Sequence, residues 1–253
     1  MIENSIYDFN KIYEHYEEIN RNILNKAFIE EDEDKKTLIL QFYDDFIKFD
    51  AKLRLGIAIK EIKLTEKFVD EKHGDLKECH LLLYKLSDIW FAYEAFFIFH
   101  QKALTLNLLD RKILWLDDST NIEYSNTEEI NNSLQQVNFE LKNKFNNIDK
   151  RTLLKGYLQY CEKLAKGGQK ARLKKIVDKI IINQRIPDLS HTEVLTIIYS
   201  IRNNFVHNGE ITVYPEHFTY ALKKELLLIL YKYLVIITIK SATITIQKKL
   251  IQN

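Results

Sequence analysis

The chain has 253 residues, 46% hydrophobic and 29% charged, which excludes a disordered or collagen-like chain and permits a real core without covalent staples. Its 6 glycines and 2 prolines are too few for the turns of an all-β sandwich, and no glycine-rich loop follows a strand-like run as a doubly wound α/β fold requires. A net charge of +1 excludes a globally basic nucleic-acid binder but leaves room for a local basic face.

The first predicted helix covers about Ser5 to Phe28, with Ile12, Tyr16, Ile19 and Ile23 at helical spacing. Residues 1–34 hold ten acids against three bases (−7), and the run Glu30 to Asp34 reads as a solvated connection. A second helix spans about Lys35 to Phe49, with Phe42, Phe46 and Phe49 on its buried face. Leu53, Leu55, Ile57 and Ile59 alternate like a strand, but Phe46, Phe49, Leu53 and Ile57 continue a helical stripe, which favours helix. A break at Lys72-His73-Gly74-Asp75 sets residues 1–75, a helical region without a discernible role, apart from 76–253, unless the two form one continuous domain.

Leu76 to Leu104 carries the strongest helical signal, with Leu82, Leu83, Leu86, Trp90, Tyr93, Glu94 and Phe97 on one broad face. Residues 105–126 read as irregular. Thr127 opens a polar helix whose first turn suits Glu128 and Glu129. Helices at about Thr152 to Leu164 and Lys170 to Ile182 follow, divided by Gly167-Gly168. Ser190 and Glu193 form a capping-box pattern for a helix that ends at Asn208-Gly209. A last helix starts near Pro215-Glu216 and runs to about Thr243. Its apolar run Leu226 to Ile239 is interrupted by Lys232 and reads as buried rather than membrane-spanning. Met1 to Asn10 carries Glu3 and Asp8 and lacks the apolar stretch of a signal peptide. The two cysteines, Cys79 and Cys161, have no CxxC spacing, so a cytoplasmic, reducing setting is expected.

One segment carries candidate chemistry: Arg202-Asn203-Asn204-Phe205-Val206-His207-Asn208-Gly209. Metal-free RNA cleavage needs a base for the ribose 2′-OH and a cation for the phosphorane. Histidine as a residue type can exchange a proton near neutrality, which makes His207 the candidate base, and Arg202 offers a charged fork matched to phosphate oxygens. Asn203 can hold a phosphate oxygen or orient a neighbour. The plain alternative is a surface arginine and a dipole-favoured histidine at a helix end. Five residues turn a helix by about 500°, so Arg202 and His207 lie ~140° apart and ~7.5 Å along the axis. Two copies meeting across a two-fold axis would bring both pairs into one cleft. Glu94, a carboxylate on an apolar face, either orients the Arg202 guanidinium or makes a structural ion pair. No acidic pair or His/Cys cluster has metal-ligand spacing, so neither metal nor cofactor is expected.

The stretch Arg151 to Ile180 holds nine bases against two acids (+7), including Lys163, Lys166, Lys170, Arg172, Lys174 and Lys175, with Tyr157 and Tyr160 available for stacking. It suits RNA phosphates. Equally, it suits a solvated face offset by the acidic N-terminal part.

The Arg202–Gly209 segment, at a helix end and ahead of a long helix, resembles the signature of HEPN domains. Asp88-Ile89-Trp90-Phe91-Ala92-Tyr93-Glu94-Ala95-Phe96-Phe97 is similar to the earlier helix of the ApeA-like branch. The likeness covers about Leu76 to Thr243. It implies an all-α, HEPN-like helical bundle with extra N-terminal helices. It further implies a homodimeric, metal-independent endoribonuclease, either a toxin or an antiviral defence effector with an antitoxin or defence-system partner. Arg202, Asn203 and His207 would be catalytic and Glu94 supporting. The alternatives are a non-catalytic HEPN-like module binding RNA, nucleotide or protein, and an assembly subunit with acidic and basic halves.

Overall fold

The computed structural model describes residues 9–63, 74–104, 112–210 and 218–252. Among these the chain is all-α, with no strand. The first two helices, α1 (Phe9–Ile29) and α2 (Glu33–Ala58), form a hairpin. Ile12, Tyr16, Ile19 and Ile23 are buried, as their spacing predicts. The acidic run is more than a connection. Asp32 caps α2 by accepting from the Asp34 and Lys35 amides, and Glu33 and Asp34 occupy the first turn, where the helix dipole favours negative charge. The alternating stretch after Phe49 stays helical to Ala58, with Phe46, Phe49 and Leu53 buried.

Two long helices make the centre: α3 (Gly74–Leu104) and α9 (Tyr220–Gln252). They run side by side in the same direction. Cys79 Sγ meets the Tyr220 carbonyl at one end, and His100 meets Thr245 at the other. Packed on α3 in the opposite sense, α2 approaches so closely that a Cβ on Gly56 would sit 2.6 Å from Ile89 Cδ1. Both N-terminal helices therefore share one core with α3 and α9. The last helix starts at Tyr220 and runs nine residues past Thr243; Pro215-Glu216 lies outside the described residues, as does Lys72-His73. Helix α9 is long and apolar enough to cross a membrane by length and composition, yet 78% of its most apolar window is buried inside the fold.

After α3, Trp115–Asp117 and Ser119–Asn121 form 3-10 turns, and Ile122–Ser125 forms the short α4. Trp115 seals this segment onto α3 by packing against Phe96, Phe97 and His100. Helix α5 (Glu128–Lys144) lies antiparallel along α9, tied by Glu129–Lys240 and Lys144–Glu225. Helices α6 (Ile148–Leu164) and α7 (Gly167–Lys179) form a second hairpin. Here Gly167 opens α7 at φ +53° instead of separating the two helices.

Helix α8 (His191–Asn208) carries the motif. Its start has the full reciprocal capping box of Ser190 and Glu193, and Asp117 accepts from the Thr192 amide at 2.7 Å. Its end is Gly209 in the left-handed conformation, φ +62°, a geometry that favours glycine. Trp90 of α3 packs on Tyr199 of α8, with ring centres 5.4 Å apart.

Candidate functional site

Helix α8 lays its motif along the middle of α3. Arg202 is buried, with 8% of its surface exposed, so it is not the surface arginine of the plain reading. Its guanidinium lies 4.5 Å over the Phe91 ring, a cation–π contact in a partly desolvated setting. Nη1 donates to Asn203 Oδ1 at 2.9 Å. Nη2 faces Glu94 Oε2 at 3.9 Å, close enough for charge attraction but beyond hydrogen-bond reach. Nε is buried without a hydrogen-bond partner. Arg202 is thus fixed by its aromatic floor and by Asn203, with donor capacity left on Nη2.

Glu94 does sit beside Arg202, but its hydrogen bond goes elsewhere. Lys112 Nζ donates to Glu94 Oε1 at 2.5 Å. Asn203 therefore does the orienting for which Glu94 was the candidate, and Glu94 supplies charge shared between two cations. Lys112 is a residue the sequence reading missed. It lies in an irregular stretch where no periodicity assigns it a face. Phe91, three residues before Glu94, was legible in principle from helical spacing.

His207 is exposed, about 1.4 turns beyond Arg202, without a polar partner among the described residues. Helix α8 is continuous from His191 to Asn208, so one copy of the chain does not bring the guanidinium and imidazole onto one face. Chain just beyond His207 is firmly held. Glu210 is buried and paired with buried Lys223 of α9 at 3.2 Å. Asn204 is buried and donates to Cys161 Sγ. Burial and nearby Glu210 push the Cys161 thiol up to about 12, so it is an inert packing group.

Flanking the Arg202 mount, His80, Tyr84 and Phe205 meet edge to face, with His80 and Tyr84 centred 4.7 Å apart and Tyr84 and Phe205 5.2 Å apart. Burial pushes the His80 pKa down and the Asp88 pKa up.

The basic stretch divides in two. Arg151 donates to the Ile182 and Asn146 carbonyls, Lys155 to the Ile180 carbonyl, and Lys179 to Glu193 and the Asp188 carbonyl. Arg151 and Lys155 hold the α6–α7 hairpin, Lys179 ties α7 to the start of α8, and all three are spent structurally. Tyr157 is fully buried against Phe218 and offers no stacking face. Lys163, Lys166, Lys170, Lys174 and Lys175 are exposed, while Arg172 is half-buried and donates to Gln169. Gln169 in turn donates to the Thr196 carbonyl, docking α7 on α8 about two turns before Arg202. Among the described residues no group of three or more His, Cys, Asp or Glu gathers in metal-ligand fashion. Compared with protein-family models, curated proteins and solved structures, the chain shows no match.

Proposed function

We propose that the chain is a metal-independent endoribonuclease of HEPN type that works as a homodimer. The observation that supports this reading best is the mount of Arg202. A nearly buried guanidinium is fixed by Phe91 and Asn203, keeps unspent donors on Nη2, and shares a helix with exposed His207 at its end. A fixed cation with spare donors suits the charge that develops on a phosphorane. An exposed imidazole suits proton exchange near neutral pH.

In this mechanism His207 takes the ribose 2′-OH proton. The 2′-oxygen attacks the adjacent phosphorus, and Arg202 stabilises the phosphorane. The P–O5′ bond breaks, leaving a 2′,3′-cyclic phosphate. The departing 5′-oxygen gains a proton from an imidazolium or from water. Asn203 holds the guanidinium at its angle. Because Arg202 and His207 lie on different sides of one helix, a two-fold pair supplies Arg202 of one protomer and His207 of the other to each phosphate. The exposed lysines from Lys163 to Lys175 extend the contact along the RNA. The cellular role that goes with this chemistry is a cytoplasmic toxin or antiviral defence effector, held in check by an antitoxin or defence-system partner.

Purified protein incubated with total RNA in EDTA tests the reading. Wild type should cleave, and His207→Ala should lose about 10²–10⁴-fold in rate while melting near wild type. Arg202→Ala should also abolish cleavage. Inhibition by EDTA with rescue by Mg²⁺ or Mn²⁺ would refute the mechanism. The burial of Arg202 favours a second reading, a non-catalytic HEPN-like binding module. No cleavage by wild type, or cleavage that both variants leave at the wild-type level and that therefore does not come from this motif, would favour that module.

A further inference from the structure

The mechanism above leaves one cation beside Arg202 unused. Lys112 reaches Glu94 from the segment that follows α3, and Glu94 also faces Arg202. Two cations thus share one carboxylate. The next carboxylate along α3, Asp88, is six residues away, about 9 Å along the axis. Lys112 spends one of its three N–H donors on Glu94. Its side chain is 25% exposed against 10% for Arg202, so Lys112 is the more accessible side chain of the two.

The backbone of Lys112 is also anchored. Tyr93 donates its hydroxyl proton to the Lys112 carbonyl at 2.7 Å, and Trp115 Nε1 donates to the Tyr93 hydroxyl at 2.6 Å. Both aromatic side chains are almost completely buried. An irregular surface segment is thereby fixed to α3 one residue from Glu94, and the ammonium points at the carboxylate that Arg202 faces.

We infer that Lys112 is a second phosphate-binding residue of the Arg202 site, gripping an RNA phosphodiester together with Arg202, with Glu94 as their common counter-ion. This inference takes its ligand from the ribonuclease reading and adds a residue that the motif does not contain. Glu94 holds the two cations at one carboxylate. An arriving phosphate competes with Glu94 for Lys112 and takes the free donors of Arg202 Nη2. Its two non-bridging oxygens, which share one negative charge, then meet two cations, an arrangement stronger than either contact alone.

A ligand that cannot be cut separates binding from cleavage. Binding of a 2′-O-methyl oligoribonucleotide is measured by fluorescence anisotropy over a range of NaCl for wild type, Lys112→Gln and Lys112→Arg. Lys112→Gln keeps a donor for Glu94 and loses the charge. It should bind about tenfold more weakly, and its log–log salt slope should be shallower by about 0.7, the loss of one phosphate contact on a single strand. Lys112→Arg should keep the wild-type slope. A lower melting temperature with wild-type affinity and slope would make Lys112 a structural staple and overturn the inference. Should Lys112→Gln fold poorly, Lys112→Met keeps the aliphatic stem and carries the same readout. Cleavage of total RNA by wild type, with binding indifferent to Lys112, would defeat this inference alone. Lys112-dependent binding without any cleavage would defeat the ribonuclease reading and leave the phosphate grip. A wild type that neither binds the oligonucleotide nor cleaves total RNA defeats both, and one that cleaves without binding it defeats this inference alone.

Discussion

Replacing Lys223 with methionine should cost about 3–5 kcal/mol of folding stability, because it leaves a carboxylate buried without its counter-ion. The pair it breaks is sealed, with side-chain exposures of 1% for Lys223 and 4% for Glu210 at an Nζ–Oε1 distance of 3.2 Å. Glu210 Oε2 already lacks a hydrogen-bond partner, so little nearby can compensate the lost ammonium. The Lys223 ammonium also lies 5.5 Å from the centre of the buried Tyr157 ring, a contact that adds to the loss. Removing both charges should be far milder. In Lys223→Met/Glu210→Leu neither desolvation cost remains, and the double variant should lie near wild type or above it. Urea unfolding at neutral pH with all four members of the cycle measures this. With a slope of at most about 3 kcal/mol per molar urea, the Lys223→Met midpoint should fall by about 1 M or more. Glu210 follows His207 by three residues, so amide exchange over 205–210 should quicken in the single variant as the end of α8 loosens. A Lys223→Met cost under about 1 kcal/mol, or a double variant no more stable than the single, would refute the reasoning.

Further outcomes are expected from other features of the fold. Gly56→Ala should destabilise by about 1–3 kcal/mol, since its Cβ would meet Ile89 Cδ1 at 2.6 Å and Cγ1 at 2.9 Å, and a thermal melt reads this directly. His100 is buried on Phe96 and Trp115, which lowers its pKa to about 4, and burial lowers that of His191 too. Unfolded imidazoles bind protons more readily, so this contribution is complete above about pH 6.5 and is lost as the pH falls toward 4. The urea midpoint should drop over that window, and His100→Phe should flatten the drop. Lys170→Ala/Lys174→Ala should weaken RNA binding and flatten its salt dependence with little effect on cleavage at saturating RNA; an unchanged salt slope would remove α7 from the RNA path.

Much of the secondary structure was legible in the sequence because helices are written in short-range terms. The buried stripe of α1, the Ser190–Glu193 capping box and the Gly209 stop depend on residues within one or two turns of each other. The strand-like alternation after Phe49 misled only locally, since Phe46, Phe49 and Leu53 kept the 3.6-residue period that the core of α2 obeys. Acids from Glu30 to Asp34 looked like a loop by charge alone; Glu30 and Glu31 do form the connection, while Asp32 caps α2 and Glu33 and Asp34 start it.

The candidate site divides along a similar line. Arg202, Asn203 and His207 stand out because they lie within six residues on one helix, and the poor alignment of Arg202 with His207 follows from helix geometry alone. Composition and periodicity determined an all-α chain and a motif at a helix end. Only tertiary packing decided what each polar group does. Glu94 hydrogen-bonds Lys112 rather than Arg202 because the buried Tyr93 and Trp115 fix the Lys112 backbone beside α3. Arg151, Lys155 and Lys179 leave the basic face because the α5–α6 and α7–α8 connections present backbone carbonyls, and the first turn of α8 a carboxylate, within their reach. A charge in a sequence has only a sign. Its partner is the group that folding brings within about 3 Å while water is excluded, and that choice is made between segments far apart in the chain.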